Sequence, residues 1–218
     1  MNRKLAALGP QFPAANGFTV VEALVAMAIA GVLYTVLYGF YDIYLRVLKA
    51  EEVRVALQES SRVALGFLTR ELRLAGARPV RDGSCEGFER LTTAEEQRVT
   101  VQYDFRGNRA GTPPDGCPDD PSEQITYVYD DSAQTLRRAT GGGAPQPLID
   151  DVPVDGFLLR YFDRDGNELE PPLSGDERAA VHTIVASVHV SAPHPDPRIV
   201  GFISSELSST VFLPNPPR

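Results

Sequence analysis

One carboxylate stands where charge is costly. Glu22 is the single charged member of the 24-residue run Phe18–Tyr41, FTVVEALVAMAIAGVLYTVLYGFY. A charge deep in hydrocarbon costs roughly 2.5–3.5 kcal/mol on insertion scales, and less near a helix end. An anchor with no further task would not carry it; the chemistry it offers is ion pairing with a cation in a dry place. Cys85 and Cys117 are the two cysteines, and their spacing is far from a C-x-x-C redox or zinc pattern. They read either as one disulfide or as two buried thiols. Asp163, Asp165 and Asn167 place oxygen-bearing side chains at alternate positions, which is what a calcium loop offers. Gly166, however, comes at the fourth place of that loop rather than the sixth, and the twelfth residue is Ser174 rather than Glu. Asp-Gly and Gly-Asn are also ordinary turn dipeptides, so a solvated turn is the simpler reading and calcium a weak one. His182, His189 and His194 are not spaced as metal ligands, and a regular strand would put the first two on opposite faces. No G-x-S-x-G is present, and Gly141-Gly142-Gly143 lacks the lysine of a phosphate loop. No catalytic residue and no cofactor follow from these patterns, and an enzyme is not expected.

The elements that would position Glu22 are legible. At 1.5 Å per residue, the run Phe18–Tyr41 makes about 36 Å of helix, enough to cross a bilayer. No proline interrupts it, and its Ala, Leu and Met favour helix. Before it lies the segment Met1–Gly17 with Arg3 and Lys4. Positive charge there holds the leader in the cytoplasm and sends the remainder outward. An ordinary secretory signal cut after Ala28-Ile29-Ala30 is the competing reading. It leaves about 11 apolar residues beyond the cut, Gly31 to Tyr41, and a carboxylate inside the supposed apolar core. A plain membrane anchor is the other competitor, and only Glu22 argues against it.

The helix is expected to continue past the membrane. From Asp42 to Ala75 there is no proline, and Val53, Leu57, Val63, Ala64, Leu68, Leu72 and Ala75 recur on one face. Arg54, Glu59, Arg62, Arg70, Glu71 and Arg73 occupy the opposite face, and Gly76 with Pro79 supplies the stop. The whole helix would then run about 58 residues, roughly 87 Å.

Gly17-Phe18-Thr19-Val20-Val21-Glu22 resembles the prepilin processing motif: a glycine, then phenylalanine, then glutamate as the fifth residue of the mature chain. The resemblance is to type IV pilin-like proteins. It implies cleavage after Gly17 by a prepilin peptidase, methylation of the new Phe18 amine, and pairing of Glu22 with the amine of a neighbouring subunit. A leader of 17 residues containing Pro10 and Pro13 departs from the usual pattern. The stretch RVALGFLTRELRLAGARPVRD resembles the corresponding segment of minor pilins of the PilW type and of GspJ-type pseudopilins. The implied architecture is one long N-terminal helix, half in lipid and half laid on a globular domain. Relatives that bind calcium in the general region of Asp163 keep that reading open.

The remainder reads as strands. Val99, Val101, Tyr103 and Phe105 alternate with polar residues, as do Ile125, Tyr127 and Tyr129, and again Ile184, Ala186, Val188 and Val190. Phe157–Phe162 suits a central strand, while 199–203 and 210–213 suit edges. Turn-rich stretches lie at 106–124, 141–147 and 193–197. The expected fold class is α+β and pilin-like: a long helix packed on an antiparallel sheet. The expected divisions are a cleaved leader at 1–17, a transmembrane helix at 18–41, an amphipathic extracytoplasmic helix at 42–78 and a β-rich domain at 79–218. Past residue 78 there are 12 Arg and no Lys against 23 Asp plus Glu, about −11 in charge. Such a surface repels phosphate backbones, so nucleic acid is not an expected partner by charge. Export makes the Cys85–Cys117 disulfide the favoured state of the pair.

The functional expectation is a minor pilin that initiates, primes or caps a type IV pilus. The alternative, favoured by Arg78-Pro79-Val80-Arg81-Asp82, is a pseudopilin at the tip of a type II secretion or DNA-uptake machine; the cysteine pair favours the pilus. A major pilin fits less well, since those chains are usually shorter. A membrane-anchored enzyme or ligand-binding protein with a chance match at Gly17 is the third reading. Expected partners are the prepilin peptidase and other pilin or pseudopilin subunits. The expected location is the inner membrane, in a single pass with the N-terminus cytoplasmic, and after assembly an extracellular or periplasmic filament.

Overall fold

The computed structural model describes residues 17–79, 85, 88–107 and 112–215. Two compact units divide the chain, Met1–Val47 and Leu48–Arg218. Helix α1, Val20–Leu74, is 55 residues long and belongs to both. Its first half has the apolar length and composition needed to cross a membrane, and none of that stretch is buried in the protein. Within it the Thr35 hydroxyl donates to the Gly31 carbonyl at 2.9 Å, so this hydroxyl is satisfied inside the helix.

In the second unit α1 turns a stripe of Leu57, Ala64, Leu65, Leu68 and Leu72 into the core. The helix ends where Gly76 takes a φ of +76° and its N–H donates to the Gln102 carbonyl at 2.8 Å. A Cβ at Gly76 would stand 2.9 Å from Arg90 Cβ, so the backbone conformation and the close approach both require glycine there.

Nine strands follow. β1 (Leu91–Ala94), β2 (Arg98–Gln102), β3 (Gln124–Asp130), β4 (Thr135–Thr140) and β5 (Gln146–Ile149) form an antiparallel meander in chain order. β6 (Phe157–Phe162), β7 (Glu168–Leu169), β8 (Thr183–Pro193) and β9 (Phe202–Phe212) form a second antiparallel sheet in the order β7-β6-β8-β9. Helix α2, Gly175–Ala180, lies between β7 and β8 and is closed at its start by a Ser174–Glu177 capping box. The alternating residues of β2, β3, β6 and β8 face one core with α1: Val99, Val101, Ile125, Tyr127, Phe157, Leu159, Tyr161, Ile184, Ala186 and Val188 are all buried. Burial pushes the hydroxyl pKa of Tyr127 and Tyr161 above the usual phenol range.

One long helix packed on antiparallel β-structure is therefore the architecture, with differences from the sequence expectation. The sheet is two sheets, because the connection after β5 turns away, with Asp151 and Asp155 at positive φ, and β6 pairs with β8 instead. Tyr103 and Phe105 lie beyond the end of β2. There the buried Glu123 carboxylate accepts the N–H groups of Phe105 and Arg106 at 2.9 and 2.8 Å, in place of a strand partner. The two short edges expected at 199–203 and 210–213 are one strand, β9, with 199–201 in the connection before it. Glu71 is not on the solvent face of α1 but 8% exposed. Its carboxylate accepts from the Tyr127 hydroxyl of β3 and from Arg138 of β4, whose Nη2 lies 2.5 Å from Oε1.

Candidate processing and assembly site

Gly17 and Phe18 precede the helix, and Phe18 is 91% exposed, so the bond between them is open to a protease. Thr19 then ends the extended segment. Its hydroxyl accepts the Glu22 N–H at 3.2 Å, while Glu22 Oε2 accepts both the Thr19 N–H and the Thr19 hydroxyl at 2.9 Å. That reciprocal pair is a capping box, which satisfies amides that the first turn of any helix leaves without partners. The sequence signal for it is Thr-x-x-Glu ahead of an apolar run, and the reading by hydropathy passed over it. Glu22 thus has a local task besides ion pairing: it starts α1 one residue after the cleavage position. Oε1 has no partner among the described residues, which leaves that oxygen open to a cation. The leader residues, including Arg3 and Lys4, lie outside the described residues.

In the second unit Cys85 and Cys117 are joined as a disulfide, with Cα atoms 5.4 Å apart. It ties the segment after the α1 exit to the Pro/Gly-rich loop, as the spacing suggested. That loop is organised around buried acids rather than loose. Asp104 Oδ2 accepts the Gly116 N–H at 2.7 Å, and Asp115 Oδ1 accepts the Cys117 N–H at 3.0 Å. Burial pushes the Asp104 carboxyl above its ordinary pKa, and the Gly116 N–H partly offsets it.

The Asp163 cluster is a hairpin turn between β6 and β7. Asp163 Oδ1 accepts the N–H groups of Asp165 and Asn167 at 2.9 and 2.8 Å, and Oδ2 accepts Asn167 Nδ2 at 2.9 Å. Gly166 supplies the positive φ of +86° that the turn requires. The Asn167 side chain, then its backbone N–H, holds the Asp163 carboxyl below the usual range. Both oxygens are thus engaged inside the turn, which is the solvated-turn arrangement. Among the described residues no group of three or more His, Cys, Asp or Glu is placed to hold a metal ion. The histidines do not converge: His182 packs edge-on to Phe212, and the His194 Nδ1 accepts the Asp196 N–H.

With this geometry in view, the comparisons point to one class. Residues 13–38 match the prokaryotic N-terminal methylation motif, so the chain carries a prepilin-type N-terminus in register with Gly17, Phe18 and Glu22. It is type IV pilin-like in that sense. A solved structure, the type IV-like pilin TTHA1219 from Thermus thermophilus, is similar at 16% identity and a TM-score of 0.46, covering 75% of this chain and 100% of that one. No curated protein matches the chain.

Proposed function

We propose that the protein is a minor pilin-like subunit that takes part in initiating, priming or capping a type IV pilus. The observation that carries this is the coincidence, within six residues, of an exposed Gly17–Phe18 bond, the start of α1 and a carboxylate inside an apolar helix. In this reading the prepilin peptidase cuts after Gly17 and methylates the Phe18 amine. Phe18–Tyr41 spans the inner membrane in a single pass, with the leader cytoplasmic. Residues 42–78 continue as an amphipathic helix, and 79–218 form the extracytoplasmic domain with its disulfide.

The role of Glu22 follows from charge. Cleavage creates a cation at Phe18, four residues before a carboxylate that already uses Oε2 on Thr19. Oε1 faces the membrane-spanning segments of neighbouring subunits in a filament and neutralises the amine of one of them. Each charge alone in hydrocarbon is expensive, and together they are much less so. A pseudopilin in a secretion machine would use the same N-terminus.

Mass mapping of the chain extracted from membranes tests the reading: the mature protein begins at a methylated Phe18. A start at Gly31 would show a secretory signal and overturn it. Deletion of the gene then separates the two machines, since loss of surface pili with secretion intact supports the pilus. Loss of secretion alone supports the pseudopilin.

A further inference from the structure

The flank of α1 that the sheets leave uncovered carries Arg62, Arg70 and Arg73. They line a groove of about 640 Å³ whose other wall is Leu207–Ser209 of β9, with Phe105 also facing it. β9 is an edge strand bonded only to β8, so its outer backbone groups have no strand partner. Phe105 is 72% exposed. Arg62 and Arg73 make no ion pair or hydrogen bond among the described residues, and Arg70 acts only at a distance, on Tyr103. Three unpaired guanidinium groups on one wall are conspicuous in a chain of net charge −8.

An acidic surface lies elsewhere on the same unit. Glu95 and Glu96 sit in the β1–β2 turn, Asp131 in the β3–β4 turn, and Asp150, Asp151 and Asp155 in the β5–β6 connection. These segments meet: Gln97 Nε2 donates to Asp155 at 3.4 Å, the Tyr129 N–H donates to the Gln97 carbonyl at 3.1 Å, and the Val152 N–H donates to the Gln134 carbonyl at 3.0 Å. None of the six carboxylates is in an ion pair among the described residues, whereas neighbouring Asp130 is held by Arg137.

We propose that the arginine groove receives the acidic surface of a second copy of this chain, a deepening that rests on the filament-subunit reading. The two surfaces share no residue, so the contact is heterologous and leaves each copy's other surface free for the next. A nucleic acid fits less well, because the domain around the groove repels phosphate. An apolar occupant would bury three guanidinium groups without partners.

The test uses the full chain in its own membranes, with a photoreactive benzoylphenylalanine at Gly66, a groove position where an added Cβ meets nothing within 4 Å. Irradiation is expected to give an adduct of two copies, mapping to residues 95–97, 130–133 or 150–156 of the second. Arg70→Glu with Arg73→Glu lowers that adduct about tenfold, since attraction becomes repulsion. Arg70→Lys with Arg73→Lys retains it. Co-expressing a second, differently tagged copy with Glu95→Arg and Glu96→Arg restores it to the Glu variant. Membrane level and an oxidised Cys85–Cys117 pair verify folding in every sample, and the N-terminal mass reports Gly17 processing separately from docking. Adducts only to nucleic acid or to other proteins, an adduct indifferent to charge reversal, or failure of the swapped copy to restore it would each overturn the proposal.

Discussion

Arg138→Met removes one member of the buried cluster that ties α1 to the first sheet. Glu71 would keep only the Tyr127 hydroxyl, and its side chain is 11% exposed against 29% for Arg138. Breaking a buried pair by removing one partner costs about 3–5 kcal/mol, because the remaining charge is left without compensation. The reverse substitution, Glu71→Gln, leaves a guanidinium that water already reaches and keeps a carbonyl acceptor in place. Screening discounts that loss to about 1–2 kcal/mol. The two single variants are therefore unequal, with Arg138→Met the worse. Glu71→Leu combined with Arg138→Met removes both charges and should lie within about 1–2 kcal/mol of the parent, far from the sum of the singles. In detergent, thermal unfolding followed by tyrosine near-UV dichroism reads this directly. At about 2–4 °C per kcal/mol for a unit of this size, Arg138→Met lowers Tm by on the order of 10 °C and Glu71→Gln by roughly 3–6 °C. Equal losses in the two singles, or a double variant that falls as their sum, would refute the reasoning.

Two further outcomes follow from the same physics. Glu22→Ala leaves membrane level intact or raised, because removing a carboxylate from lipid is favourable, at a cost of about 1 kcal/mol for the lost capping box. Filaments, or secretion, fail in the same cells because a neighbour's amine loses its partner; normal membrane level with normal filaments would defeat the pairing. Reduction of Cys85–Cys117, or Cys85→Ser with Cys117→Ser, opens a loop of sequence separation 32. The chain-entropy model puts the loss at about 3–4 kcal/mol, or on the order of 10 °C in Tm. Peptide mapping without reductant that found both thiols free in envelope protein would contradict the bridge.

What was legible in the sequence was what neighbours in the chain decide. The apolar run with one carboxylate, the Gly17-Phe18 boundary and the stop at Gly76 are local signals, and the structure places α1 within two residues of them. Strand alternation at Ile125–Tyr129 and Ile184–Val190 is local too, and β3 and β8 lie there. Thr19-x-x-Glu22 was equally local and was simply outweighed by hydropathy. Other features had no local signal at all. β1, β4, β5 and α2 are short, and their pairing depends on partners rather than on their own periodicity. Glu71 looked like one more charge on a solvent face; its partners stand 56 and 67 residues away, and only the fold brings them to it. The split into two sheets and the meeting of Arg62, Arg70 and Arg73 with the open edge of β9 belong to the same class. A helix start or a membrane span is decided within a few turns of chain, where sequence separation is short. Which strand closes an edge, and which charge is left beside it, is decided by long-range packing, and so by tertiary structure alone.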